Sequence, residues 1–171
     1  MFQQCKEYLL VKLKEAGLKT QPYTSLKKLR ASQESHIGAV LFDEESFTRN
    51  GSKTIYKDER GDRKKRRKVF DRNLTFDIII GEYTQDKAEE LFESFLLCLD
   101  KGMMVNGNYV PIEPETAEWV DEDDSILKAK IAVQLKVRFE GGIYKDTGFA
   151  NVKDVAVDSV EIDRKENEDG K

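Results

Sequence analysis

The chain has 171 residues, 39% of them hydrophobic and 36% charged, with a formal net charge of −4. That length suits about one domain with a core of its own, and the periodic recurrence of Leu, Ile, Val and Phe argues against wholesale disorder. No stretch approaches the roughly 18 to 20 apolar residues that span a bilayer, and the start MFQQCKEYLL lacks a cationic segment followed by a separate apolar one, so the chain reads as cytoplasmic with no membrane partner.

Phe2, Cys5, Leu9, Leu10 and Leu13 recur at three- and four-residue steps before Gly17, which predicts an opening helix with one apolar face. Pro22 interrupts the next stretch, and residues 20–35 read mostly as loop. The apolar run HIGAVLF, residues 36–42, has the length of a strand. A long return strand is predicted over 66–83, where Phe70, Leu74, Phe76, Ile78 and Ile80 share one parity and Asp71, Asn73, Thr75 and Asp77 the other. Asn50-Gly51 and Gly61-Asp62 are turn formers between them. Pairing Tyr56 with Lys68 brings Leu41 or Phe42 opposite Tyr83 or Glu82. This predicts one antiparallel hairpin, kinked near Asn50-Gly51, with a projecting tip over 57–68.

Thr84 is predicted to cap a second helix over 85–101, with Asp86 in its first turn, Lys101 in its last and Gly102 just beyond. Ala88, Leu91, Phe92, Phe95 and Leu99 form its buried stripe. Residues 103–105 and 109–112 flank Asn106-Gly107-Asn108, a tight hairpin turn. Leu127, Ala129, Ile131, Val133, Leu135, Val137 and Phe139 alternate with Lys128, Lys130, Ala132, Gln134, Lys136 and Arg138, which predicts an amphipathic strand with one wet face. Residues 152–162 offer a further short β segment, and 163–171 (DRKENEDGK) read as a charged, disordered tail. The order predicts an α+β fold in a single domain over 1–162: an antiparallel or mixed sheet of two long hairpins, with two helices packed on one face.

Catalytic signals are sparse. His36, the only histidine, stands at a strand start with no second candidate ligand nearby and reads as structural or solvated. Cys5 and Cys98 lack CxxC spacing and fall in apolar helix patterns, so they read as small buried hydrophobes. Gly51-Ser52-Lys53-Thr54 fails as a phosphate-binding loop, because Gly must directly precede Lys and Ser46 stands where the earlier Gly is required. Asp62-Arg63-Lys64 and Asp163-Arg164-Lys165 are acid-x-Lys fragments outside the predicted strand cores, a poor setting for a metal-dependent nuclease. The sequence therefore predicts neither an enzyme nor a cofactor or metal site.

Charge is segregated instead. The window 57–72 holds nine Lys/Arg against four Asp/Glu, a net of +5, centred on Arg63, Lys64, Lys65, Arg66, Arg67 and Lys68. Such a tip suits a solvated hairpin end, a protein docking surface or direct phosphate binding. Stacking aromatics would favour nucleic acid, but only Phe70 is adjacent, and its parity puts it on the core face. Residues 113–124 (EPETAEWVDEDD) carry seven carboxylates and no cation. They lack the alternation and bend Gly of a calcium loop, and read as a solvated loop between strands or as a partner-facing acidic patch. In the second case Trp119 is an apolar anchor among Glu118, Asp121, Glu122, Asp123 and Asp124. Tip and loop are complementary and lie on different elements, so copies of the chain can join head to tail, a contact that closes as a ring or runs on as a filament.

The opening helix, the long first hairpin ending NLTFDIIIGEYT, the helix DKAEELFESFLLCL and the second half NGNYVPIEPETAEWVDEDDSILKAKIAVQLKVRFEGGIY together resemble the tail terminator proteins of long-tailed phages and of phage-tail-like bacteriocins, over roughly residues 1–145. The cationic tip and the segment after Tyr144 depart from that family. The resemblance implies a structural collar or neck protein whose hexameric ring caps the tail tube, ends its polymerisation and, in a phage, joins the head. Implied partners are other copies of the chain, the tube protein, and sheath or head-connector proteins, with DNA as lumen content. The implied location is the host cytoplasm during assembly and then the particle. The alternative is a nucleic-acid-binding module that uses the basic tip.

Overall fold

A computed structural model describes residues 1–32, 34–121 and 131–149. Three helices, α1 (Phe2–Glu15), α2 (Leu26–Ala31) and α3 (Gln85–Cys98), accompany six strands: β1 (Ile37–Arg49), β2 (Lys53–Lys57), β3 (Arg63–Glu82), β4 (Gly102–Val105), β5 (Asn108–Asp121) and β6 (Ile131–Gly148). The strands form one antiparallel sheet in the order β1-β3-β6-β5-β4, and β2 continues the line of β1 along β3. The fold is α+β. The predicted segments 152–162 and 163–171 lie outside the described residues, as do 127–130 and Glu122, Asp123 and Asp124.

Period-two burial builds the core. Leu74, Phe76, Ile78 and Ile80 of β3 pair with Phe139, Val137, Leu135 and Val133 of β6, and all eight point to the same buried face. Cys5, Leu9 and Leu13 of α1 and Ala88, Leu91 and Phe95 of α3 cover that face, so these two helices share one side of the sheet. Aromatic contacts run through the layer, Phe2 tilted against Phe76 and Phe76 edge-on to Phe139, with ring centroids 5.5 and 5.9 Å apart. Burial among these groups pushes the Cys5 thiol up to about 11. The opposite face of β6 is ionic: Lys136 pairs with Asp43, and Arg138 with Glu115 and Glu140.

Several elements differ from the sequence reading. The segment 20–35 is more than loop: α2 sits on the opposite face, where Leu29 packs with Ile37, Ala39, Ile79 and Ala132. Tyr23 also joins the sheet, donating its N–H to the Gly38 carbonyl and accepting from Val40 N–H, both at 2.8 Å. Only Leu29 of this six-residue helix is buried, so no periodic stripe announces it and tertiary contact stabilises it. Helix α3 stops at Cys98 rather than 101. Leu99 is extended, the Asp100 N–H donates to the Tyr8 hydroxyl at 2.8 Å, and the Asp100 carboxylate takes Lys12, tying the end of α3 to α1. Thr84 stands at the N-cap position but makes no side-chain cap.

The first hairpin is also in a different register. Tyr56 pairs with Lys64, not Lys68, and Leu41 and Phe42 lie opposite Asp77 and Phe76. The turn is centred earlier because the Asp58 carboxylate accepts the N–H groups of Arg60 and Asp62 at 3.0 and 2.9 Å, while Gly61 adopts φ +82°. A bulge between Phe42 and Glu44 and the break at 50–52 absorb the remainder. The second hairpin turn falls where predicted but is one residue shorter: Asn108 already pairs with Val105, and Asn106 and Gly107 both take positive φ, the requirement of a two-residue hairpin loop.

Phe76 sits at the centre of the aromatic layer and has no solvent exposure. Phe76→Ala is expected to lower unfolding stability by about 3–5 kcal/mol, read as a shift in the urea midpoint. A loss below about 1 kcal/mol would contradict the packing described.

Candidate interaction surfaces

The cationic run does not form the hairpin tip. The turn itself is 58–62, and the run is the first part of β3, paired with β2 on one edge and β6 on the other. Because successive side chains point to opposite faces, Lys64, Arg66 and Lys68 go one way and Arg63, Lys65 and Arg67 the other.

The two faces differ electrostatically. Lys64 pairs with Asp58 at 3.6 Å and Lys68 with Asp71 at 2.6 Å, where Asn50 also donates to Asp71. Arg66 grips Asp146 in a two-pronged pair, Nε to Oδ1 at 2.8 Å and Nη2 to Oδ2 at 2.7 Å, and its Nη1 donates to Asn108 Oδ1 at 3.1 Å. Tyr56 adds its hydroxyl to Asp146 at 2.9 Å, and the guanidinium lies over the rings of Tyr56 and Tyr144, 4.7 and 5.8 Å from their centroids. Arg66 holds the Asp146 carboxyl below the ordinary carboxylate range, and Lys68 with Asn50 does the same to Asp71. This half of the run is a neutralised seam joining three strands.

The other face is unbalanced. Lys53, Arg67 and Lys145 lie abreast across β2, β3 and β6; the next row is Ile55, Lys65 and Thr147, and the next pairs Lys57 with Arg63. Among the described residues none of Lys53, Lys57, Arg63, Lys65, Arg67 and Lys145 is in an ion pair. All but Lys65 are exposed. Like charges directly opposite one another across a ladder repel. Phe149, just past β6, lies beneath the Arg63 guanidinium at 5.3 Å.

The acidic segment is not a loop as far as Asp121. Glu113, Glu115, Glu118, Trp119 and Asp121 lie in β5, which pairs with β6 from Ile112 to Asp121. Neighbours on β6 explain the strand: Glu113 lies opposite Arg138, and Glu115 reaches Arg138 at 3.0 Å, so cations on the wet face of β6 offset the run of carboxylates. Trp119 lies opposite Val133 and meets Phe92 of α3 edge-on at 5.8 Å, and it remains 45% exposed. β5 pairs with β6 between Ile131 and Phe139, whereas the basic face meets β6 at Lys145 and Thr147, so one copy sets the two surfaces against different stretches of β6.

His36 bridges elements. Its Nε2 accepts the Lys19 N–H at 3.1 Å, which leaves Nδ1 as the protonated nitrogen that donates to the buried Glu82 carboxylate. A cleft of about 450 Å³ beside it is lined by Lys19, Tyr83, Lys87, Glu90 and Ser94. With both ring nitrogens engaged, His36 has no lone pair to offer Ser94 as a base. Among the described residues no group of three or more His, Cys, Asp or Glu is gathered to hold a metal ion, and no helix is long and apolar enough to cross a membrane.

No protein-family model matches this chain, and no curated protein matches it.

Sequence pattern located the cations but missed which of them act together. Lys53, Lys57 and Lys145 lie outside the run, and Tyr56, Tyr144 and Phe149 bring aromatic rings to its arginines where the sequence offered only Phe70, on the core face by parity. The available local signal was the two-residue period of the run itself.

Because the Asp146 carboxyl is held low, its ionised form contributes stability that is present above the ordinary carboxylate value of about 4 and is lost as pH falls through the lowered one. Wild-type amides at 63–67 are therefore expected to lose exchange protection below about pH 4, after correction for intrinsic rates. Asp146→Asn should show reduced protection there already at pH 7, with a flatter acid profile. Superimposable profiles for the two proteins would count against the seam.

Proposed function

We propose that this chain is a structural protein of a phage tail or phage-tail-like particle, which assembles as a ring, caps the tail tube and ends its growth, and in a phage also joins the tube to the head. The observation that carries this reading is a pair of open sheet edges. Pairing of β4 with β5 ends at Pro111 and the Ile112 N–H still donates to the Lys101 carbonyl, so among the described residues β5 has no outer strand beyond Ile112. At the other side of the sheet, β1 beyond Val40 and all of β2 are likewise without an outer strand among the described residues. Large apolar side chains accompany both edges: Phe47 is 53% and Ile55 54% exposed on one, and Trp119 45% on the other.

Open edges with exposed apolar side chains invite pairing with another chain. Pro114 and the carboxylates Glu113 and Glu118 limit what β5 accepts, since Pro removes a ladder donor and the acids repel an acidic strand. On the opposite edge β2 carries Lys53 and Lys57, while β1 carries Asp43, Glu44 and Glu45, of which Asp43 pairs with Lys136 and Glu45 with Arg72. The acidic β5 and the basic β2 are dissimilar and opposite in charge, which suits a heterologous contact between identical copies, the kind that closes into a ring when the rotation permits. The family resemblance over residues 1–145 supports the same reading and supplies the ring and tube.

Light scattering on the purified chain, with and without assembled tail tube, tests this. The expected result is a ring-sized species, alone or on the tube, and arrest of tube elongation when the chain is added. A chain that stays monomeric, ignores the tube and leaves tube length unchanged would overturn the proposal. Glu113→Lys combined with Glu118→Lys is expected to weaken self-association roughly tenfold without unfolding the monomer. Unaltered assembly would remove β5 from the contact.

A further inference from the structure

We infer that the face formed by Lys53, Lys57, Arg63, Lys65, Arg67 and Lys145 binds the phosphodiester backbone of nucleic acid, whatever its sequence. The neutralised seam behind it sets the geometry: Asp58, Asp146 and Asp71 satisfy Lys64, Arg66 and Lys68, so the three strands are held together without drawing on the other face. The remaining cations project from a rigid three-stranded surface. With strands about 4.8 Å apart and residues about 3.3 Å along each, the patch is about 10 Å wide and 14 Å long.

Charge density decides the occupant. Duplex DNA carries one charge per about 1.7 Å of axis, so about 14 Å of it carries roughly eight phosphates, and those on its near side face six cations. An acidic strand such as β5 supplies fewer: with Glu115 already committed to Arg138, its remaining carboxylates are Glu113, Glu118 and Asp121. Anions at this density relieve the repulsion within the row of Lys53, Arg67 and Lys145, which the folded chain otherwise bears. The half-exposed Phe149 ring under Arg63 also provides a stacking surface at the edge of the patch. The cations come from three strands, so the site exists only in the folded arm.

Fluorescence anisotropy with a labelled 20-nucleotide single strand and with its duplex, at several salt concentrations, tests the assignment. Binding is expected at low salt and should weaken steeply with salt, the log–log slope on duplex approaching about −5 if all six cations engage phosphates. Arg67→Gln with Lys145→Gln should cut that slope by about 2 and affinity by about tenfold or more. Lys64→Gln with Lys68→Gln removes the same net charge from the neutralised face and should leave the slope unchanged; circular dichroism verifies that both variants fold. Three results would overturn the inference: no binding to either probe at low salt, equal losses from the two double variants, or displacement of the probe by a peptide of residues 113–124 at lower concentration than by unlabelled DNA. The last would assign the face to an acidic segment of another copy.

Discussion

β3 is hydrogen-bonded along both edges, to β1 and β2 on one side and to β6 on the other, from the basic run to Glu82. A strand held on both sides has no freedom to twist a residue from one face to the other, so its two-residue period becomes a division of labour. In its second half that division separates the apolar layer under α1 and α3 from the wet face. In its first part it separates cations that tie strands together from cations left facing solvent. The core and the basic surface are thus two stretches of one strand pair, and the register that buries Phe76 shifts by one residue between Lys68 and Phe70 before Arg66 is set against Asp146.

Irregularities in that ladder matter as much as its regularity. Register shifts occur between Phe42 and Glu44 on β1 and between Lys68 and Phe70 on β3. The second lies where the buried layer gives way to the basic arm, so the side chains of 63–68 cannot be assigned to a face by counting back from Leu74. Turn chemistry adds its own offset, because Asp58 gathers the amides of Arg60 and Asp62 and shortens the loop. Stored repulsion then falls on one face alone. A protein that needed only solubility would gain nothing from three cations abreast, whereas one that receives a polyanion would have the cost returned on binding.

Much of the fold was legible from residue pattern. The stripes of α1 and α3, the alternation in β3 and β6 and the Asn106-Gly107 turn all arise from short-range periodicity or from backbone conformations that few residues adopt. α2 was not legible, since a single buried Leu29 leaves no period to detect, and its face is chosen by Ile37, Ala39, Ile79 and Ala132 from other elements. β5 was misread for a related reason. Its carboxylates look like a solvated loop until Arg138 and the rest of β6 are set beside them.

The amino-acid sequence by itself determined which residues alternate, where charge collects and that the chain folds as helices on an antiparallel sheet, because these depend on neighbours a few positions away. Only the tertiary structure decided which cations are paired and which are open. Arg66 and Asp146 stand 80 positions apart, and Lys53 and Lys145 join Arg67 through pairing on opposite edges of β3. Local pattern fixes the face a side chain takes; register between distant strands fixes what it meets there.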